Sequence, residues 1–206
     1  MSEKLLIIGD PHFKTSNVPD TDDFIMKIIQ LSLKNFFDKI IILGDLLHEH
    51  ERLHTIPLNK AYQFVKSCAN IAPTYILVGN HDMINNQQFL NTNHWMNAMK
   101  DWYNVTIIDQ PKSVKINKDY FYVMCPYVPN GRFIEALDSL DSLDSLDSLD
   151  SMESREPNDQ DSAWKSASII FAHQEFKNCK MGAIISADGD EWSETYPPVI
   201  SGHIHS

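Results

Sequence analysis

Five short runs of the chain, residues 5–8, 40–43, 75–78, 168–171 and 198–201, are apolar at nearly every position and rich in β-branched side chains. Strands buried on both faces read this way, whereas a half-exposed strand alternates. Between the first two runs, Asp22 and Asp23 mark a helix start, and Phe24, Ile25, Ile28, Ile29 and Leu31 follow at helical spacing as far as Phe36. Between the second and third, Leu58, Ala61, Phe64, Val65 and Cys68 recur likewise, with Pro57 in the first turn. The chain therefore opens β-α-β-α-β. Residues 105–108, 114–116 and 120–124 predict further strands, the last two joined at Asn117-Lys118-Asp119 as a hairpin. The Asn-rich stretch 85–101 is helix-ambiguous, and the aromatics Trp95, Trp102 and Tyr103 in and beside it read as core packing, with base stacking as the alternative. The class is α/β, with a mixed sheet or a pair of sheets.

One segment breaks this pattern. Asp-Ser-Leu occurs four times over residues 138–149, followed by Asp-Ser-Met. Successive leucines three apart drift about 60° around a helix, so Leu140, Leu143, Leu146 and Leu149 cannot share one narrow stripe. Residues 138–163 are expected to be a solvated, mostly disordered insert fraying from a short helix at 132–137, with a dedicated acidic interaction element as the sharper alternative.

The insert also changes how the charge is read. The net charge of -11 looks hostile to nucleic acid, but nine acids and a lone arginine in the insert carry most of it. Bulk charge therefore excludes no phosphate-bearing substrate. At 206 residues, 43% hydrophobic and 22% charged, the composition is that of a single soluble domain spanning 1–206. Cys68, Cys125 and Cys179 include no close pair, which excludes a disulfide framework and a thiolate zinc cluster. No apolar run approaches the about 18 residues of a membrane span. An intracellular location, cytoplasmic or nuclear, is the expectation.

The chemistry gathers where the apolar runs end. Four of the seven glycines follow such a run and precede a metal-capable residue: Gly9-Asp10, Gly44-Asp45, Gly79-Asn80 and Gly202-His203. Ala172-His173 repeats the pattern with alanine. Ligands of open α/β sheets bind beyond the carboxyl ends of the strands, so five such endings converge on one site. They deliver Asp10 with His12, Asp45 with His48, Asn80 with His81 and Asp82, His173, and His203 with His205. Alone, a Gly-Asp after a strand is usually a turn and a buried histidine a packing residue. Jointly and in this order they form a mixed carboxylate, amide and imidazole donor set, suited to manganese, iron or zinc. Seven ligand candidates exceed one ion's needs, so two are expected. His50, His54 and His94 lack that context and read as surface or packing residues, with contact of one of them to substrate as the alternative.

These ordered motifs, from Asp10 to His205, resemble the calcineurin-like metallophosphoesterase superfamily. Gly44-Asp45-Leu46-Leu47-His48 and Gly79-Asn80-His81-Asp82 are most similar to SbcD-type DNA-repair nucleases, and not to the phosphoprotein phosphatases, which carry G-D-x-V-D-R-G and G-N-H-E. The resemblance implies a sandwich of two mostly mixed β-sheets flanked by helices. It implies that Asp10, His12 and His205 hold one metal, that Asn80, His173 and His203 hold the other, and that Asp45 bridges them. His81, and secondarily His48, would face the scissile phosphate without ligating metal. The activity implied is hydrolysis of nucleic-acid phosphodiesters with two divalent ions, manganese foremost, and repair nucleases of this kind work with a partner ATPase.

Two other readings stay open at this point: a phosphatase or phosphodiesterase acting on a small-molecule or protein phosphoester, and an inactive remnant that binds through its acidic insert. Family members continue past the G-H-x-H motif with further strands, whereas this sequence stops at Ser206. A domain without those C-terminal strands is the expectation.

Overall fold

A computed structural model describes residues 3–50, 52–116, 120–140, 162–181 and 184–204. Two four-stranded sheets lie at its centre. The first consists of β1 (Leu5–Ile8), β2 (Lys39–Ile42), β3 (Thr74–Leu77) and β4 (Val105–Ile108), in that order and all parallel. The second has the order β10 (Val199–Gly202), β7 (Ile169–His173), β6 (Phe121–Cys125), β5 (Lys112–Lys115). Its strands are parallel except for the antiparallel edge β5–β6, the expected hairpin, whose turn residues 117–119 lie outside the described residues. A short antiparallel pair, β8 (Lys180–Met181) with β9 (Ile184–Ile185), stands apart.

Alternation along the buried strands builds three layers of core. Ile40 and Ile42 point to the helices and cluster with Phe64, Val65 and Cys68. Ile41 and Leu43 point the other way and meet Tyr122, Met124 and Phe171 between the sheets. Val123, Cys125, Ile170 and Ala172 face outward from the second sheet against Phe133, Leu137 and Trp164. Strands covered on both sides have no polar face, which is why the apolar runs are continuous. The result is the expected two-sheet sandwich flanked by helices, with a first sheet that is purely parallel instead of mixed.

Helix α1 (Val18–Lys34) begins a turn earlier than Asp22 and Asp23 predict, because Pro19 occupies its first turn, where a missing N–H costs nothing. Phe24, Ile25 and Ile28 dock on the core, while Leu33 and Phe36 are largely exposed. Helix α2 (Thr55–Ile71) buries Ala61, Phe64, Val65 and Cys68 as the spacing predicts. No helix crosses from β3 to β4. A 3-10 segment, Trp95–Met99, buries Met96 and Met99 instead. Among the described residues no helix is long and apolar enough to cross a membrane.

The third helix, α3 (Phe133–Asp138), corrects the edges of the acidic insert. Asp138 Oδ1 accepts hydrogen bonds from the Trp164 indole N–H and the Ser162 hydroxyl, both at 2.7 Å. Leu140 is buried in the same cluster as Phe133 and Trp164. Both ends of the segment are therefore packed, contrary to the expectation for 138–163. Residues 141–161, on which the disorder expectation falls, lie outside the described residues.

Candidate metal centre

Because β1, β2 and β3 run parallel in one sheet and β7 and β10 in the other, their carboxyl ends open at a common edge. The loops after β1 and β2 go on pairing beyond the strands. His12 N–H donates to the Asp45 carbonyl at 2.9 Å and Phe13 N–H to the Leu46 carbonyl at 2.8 Å, which sets His12 beside Asp45. His12, Asp45 and His203 are three of the six non-glycine residues with positive φ among the described residues. Each such conformation costs on the order of 1–3 kcal/mol and persists where its surroundings enforce it.

Three glycines make the convergence possible by lacking a side chain, and a Cβ on Gly44 would stand 2.6 Å from His173 Nδ1. A Cβ on Gly79 would stand 2.2 Å from Asp45 Oδ1, and one on Gly202 would stand 2.2 Å from Asp10 Oδ1. At Gly9 a Cβ would meet nothing within 4 Å, so close approach does not explain that glycine.

Two donor clusters share Asp45. Ligand-capable atoms of His12, Asp45 and His81 lie within 4.8 Å of one another, as do those of Asp45, His173 and His203. Asn80 completes the second cluster, with Oδ1 at 3.0 Å from His173 Nε2 and 2.9 Å from His203 Nδ1. Asp10 borders it: one carboxylate oxygen accepts the His203 backbone N–H at 2.6 Å, and the other lies 3.8 Å from His173 Nδ1. His81 thus stands within ligand reach of His12 and Asp45, where the resemblance implied a residue free of metal. Its backbone N–H also donates to Asp45 Oδ1 at 2.9 Å. His205 lies outside the described residues.

The donor chemistry fits a cation. His173 Nδ1 must carry a proton, since its partner at 2.6 Å is the Leu43 carbonyl, which only accepts. A neutral ring would therefore turn a lone pair on Nε2 toward Asp45 Oδ2 at 3.3 Å and Asn80 Oδ1 at 3.0 Å. In this orientation Asn80 Nδ2 donates to Asn86 Oδ1 at 3.1 Å, and Oδ1 is the atom that faces the two imidazoles. Three acceptors facing one another need a positive charge among them, either a proton or a metal ion. A backbone carbonyl holding the remote nitrogen of an imidazole is also how metal-ligating histidines are oriented. The Nδ1 atoms of His48 and His81 are buried with no hydrogen-bond partner among the described residues.

The charges agree with this reading. Burial pushes the Asp45 carboxyl up, but His173 and His81 outweigh it and hold it at about 2. Burial pushes His173 down, and Asp45 and Asp10 reverse that, raising it to about 9. His203 is driven down to about 4 by burial and the neighbouring His173. Asp82 is raised to about 7 by burial and by Asp45.

Asp82 plays a different part from its neighbours in the motif. Its carboxylate accepts the Gly79 backbone N–H and the Trp95 indole N–H, both at 3.0 Å, and so pins the turn Asn80–Asp82 from behind. Trp95 is accordingly an anchor in the loop wall and not only packing. His94 is buried against Asp109, as a packing histidine should be. The residue missed in the sequence is His50. Its ring stacks on His81 with centroids 4.4 Å apart and planes at 18°, and His48 lies nearly parallel to His81 at 5.6 Å. A histidine two positions beyond His48 in an extended loop was the available signal.

Comparison with known proteins agrees with this geometry. The chain is 50% identical over 203 residues to "Putative phosphoesterase 244L" of Invertebrate iridescent virus 6, which covers 98% of this chain and 64% of the relative. It is 45% identical over 202 residues to "Putative phosphoesterase 078R" of Invertebrate iridescent virus 3, covering 98% and 53%. The chain thus spans between about half and two thirds of the length of these relatives. The family model for calcineurin-like phosphoesterases matches residues 3–206, and with the paired donor clusters around Asp45 this establishes that the chain belongs to the calcineurin-like phosphoesterase family.

Proposed function

We propose that this protein is a metal-dependent phosphoric ester hydrolase and that its substrates are nucleic-acid phosphodiesters. The observation that carries the reading is the position of Asp45, shared by two donor clusters at the meeting edge of both sheets. Two divalent ions would be held there, one by Asp10, His12 and His205, the other by Asn80, His173 and His203, with Asp45 common to both. The mixed oxygen and imidazole donors favour manganese, with iron or zinc as substitutes. When bound, such ions supply charge neutralisation at the phosphate and acidify water.

The chain's own groups supply the rest. His81 delivers a proton to the departing oxygen, a contribution of about 10²–10⁴-fold in general acid catalysis. Its ring is held parallel to His48 and His50, and the turn that carries it is held by Asp82. His48 lies beside it as the second histidine on the phosphate. The nucleic-acid part of the proposal is supported by the resemblance of the two motifs around Asp45 and Asn80 to SbcD-type repair nucleases. A partner ATPase and an intracellular site of action belong to the same proposal.

Purified protein with manganese should hydrolyse bis(p-nitrophenyl) phosphate and single-stranded DNA. Hydrolysis of p-nitrophenyl phosphate with no attack on DNA would place it with the phosphatases instead, and no hydrolysis of any of the three would contradict the enzyme reading. His81→Ala should keep its metal and lose turnover by ~10²-fold or more. His203→Ala should lose metal and activity together.

A further inference from the structure

A cleft of about 510 Å³ opens beside the histidine cluster, and its walls include His50, Leu53, Met83, Ile84, Trp95 and Asn97. His50 belongs to both places. It stacks on His81 at 4.4 Å and is fixed there through Nδ1 and the Met83 carbonyl at 3.3 Å, so whatever fills the cleft lies against the ring that stacks on the residue assigned to the departing oxygen.

The walls combine the apolar faces of Leu53, Met83, Ile84 and Trp95 with polar groups, Asp82, Asn93 and His94 among them. Leu53 and Ile84 are 45% and 51% exposed although nothing in the fold requires an apolar side chain at either rim. Trp95 is held rigidly, its indole N–H on Asp82 Oδ1 at 3.0 Å and its ring against Tyr62 at 5.9 Å. Asn97 donates through Nδ2 to the Thr92 carbonyl at 2.7 Å, which leaves Oδ1 to accept from a ligand amine. None of the described lining residues is lysine or arginine. Lysine and arginine are the usual side-chain partners of phosphate and carboxylate, and their absence from the described walls favours a neutral flat group with edge donors. Nucleobases have this character, and aromatic faces hold them without strict sequence preference.

We propose that this cleft receives the nucleobase on the leaving side of the scissile phosphodiester. The proposal rests on the nucleic-acid reading above and on the role given there to His81. It divides the substrate in two, with phosphate on the donor clusters and the departing nucleoside on the His50 side.

The test uses the full chain, isotopically labelled, with magnesium as a diamagnetic ion, titrated separately with adenosine, ribose and inorganic phosphate. Adenosine should shift the indole N–H signal of Trp95 and the ring signals of His50, while ribose and phosphate should leave the Trp95 signal in place. Ile84→Asp, and independently Leu53→Asp should the first fail to fold, should weaken adenosine binding by about tenfold or more while metal content stays the same. The same variants should raise KM for a dinucleotide more than they change kcat. Phosphate shifting the Trp95 signal, or adenosine binding that ignores both substitutions, overturns the proposal. Hydrolysis of bis(p-nitrophenyl) phosphate without adenosine binding would reject the cleft and spare the enzyme reading. Adenosine bound in the cleft without hydrolysis of any diester would reject the enzyme reading and leave the cleft a nucleoside site.

Discussion

The backbone of Gly79 passes so close to Asp45 that a Cβ at that position would stand 2.2 Å from the carboxylate oxygen Oδ1 and 2.5 Å from the Asp45 backbone nitrogen. The carboxylate common to both donor clusters therefore keeps its place only while residue 79 has no side chain. Gly79 has an ordinary extended backbone, φ -86 and ψ 175, so alanine there adds crowding and no torsional strain. Gly79→Ala should lower metal affinity by about 10–100-fold, the range for disturbing a group that positions a ligand. Competition against a chelator measures it, and unchanged affinity would show that Asp45 can move without consequence.

Metal binding should release protons. In the ion-free protein His173 is raised to about 9 and is protonated at neutral pH, yet its Nε2 is the atom that faces Asp45 and Asn80. An ion entering there displaces that proton, so affinity should increase with pH up to about 9. Calorimetric titration in buffers of different ionisation enthalpy reads the number released. Zero protons at neutral pH would contradict the assignment of His173.

How much of this was legible in the sequence depends on how local each signal is. The strands β1, β2 and β3 and the donors after them were readable, because burial on both faces and a glycine at the strand end are properties of a few consecutive residues. Helix α1 was placed a turn late because Asp22 and Asp23 outweighed Pro19 as a start signal. His50 and Asp82 were not legible in their roles. Ring stacking between residues 50 and 81, and a carboxylate closing a turn on an indole thirteen residues away, arise only once β2 and β3 lie side by side. The ends of the acidic insert were misread because the repeat masked Asp138 and Leu140 as contacts of Trp164.

Asp138 provides a test of that correction. Trp164 is fully buried, and its indole N–H donates to Asp138 Oδ1 at 2.7 Å. Asp138→Ala leaves this donor without its partner and should destabilise the fold by about 1–3 kcal/mol. Urea denaturation followed by tryptophan fluorescence measures it. A change below about 0.5 kcal/mol would return Asp138 to the solvated part of the segment.

The triad of Asp109, His94 and Lys100 at the end of β4 sets an acid limit on stability. Burial pushes the Asp109 carboxyl up, but hydrogen bonds from His94 Nε2 at 3.0 Å and Lys100 Nζ at 2.6 Å hold it below its ordinary value. A carboxyl lowered in the folded state stabilises the protein above its unfolded pKa of about 3.9 and loses that contribution as pH falls through the folded value. The stability gap between the natural protein and Asp109→Asn should therefore be constant near neutral pH and shrink below about pH 4. A gap independent of pH down to the acid transition would show that Asp109 titrates normally.

The central claim is that Asp45 serves two ions at once, and metal stoichiometry tests it most directly. Protein saturated with manganese and passed through a desalting column should carry about two ions per chain by elemental analysis, as expected of a two-metal site. Asp45→Asn, which keeps the shape and an acceptor for the His81 backbone N–H, should lose most of both. One ion or fewer in the unsubstituted protein, or two retained in Asp45→Asn, would contradict the account.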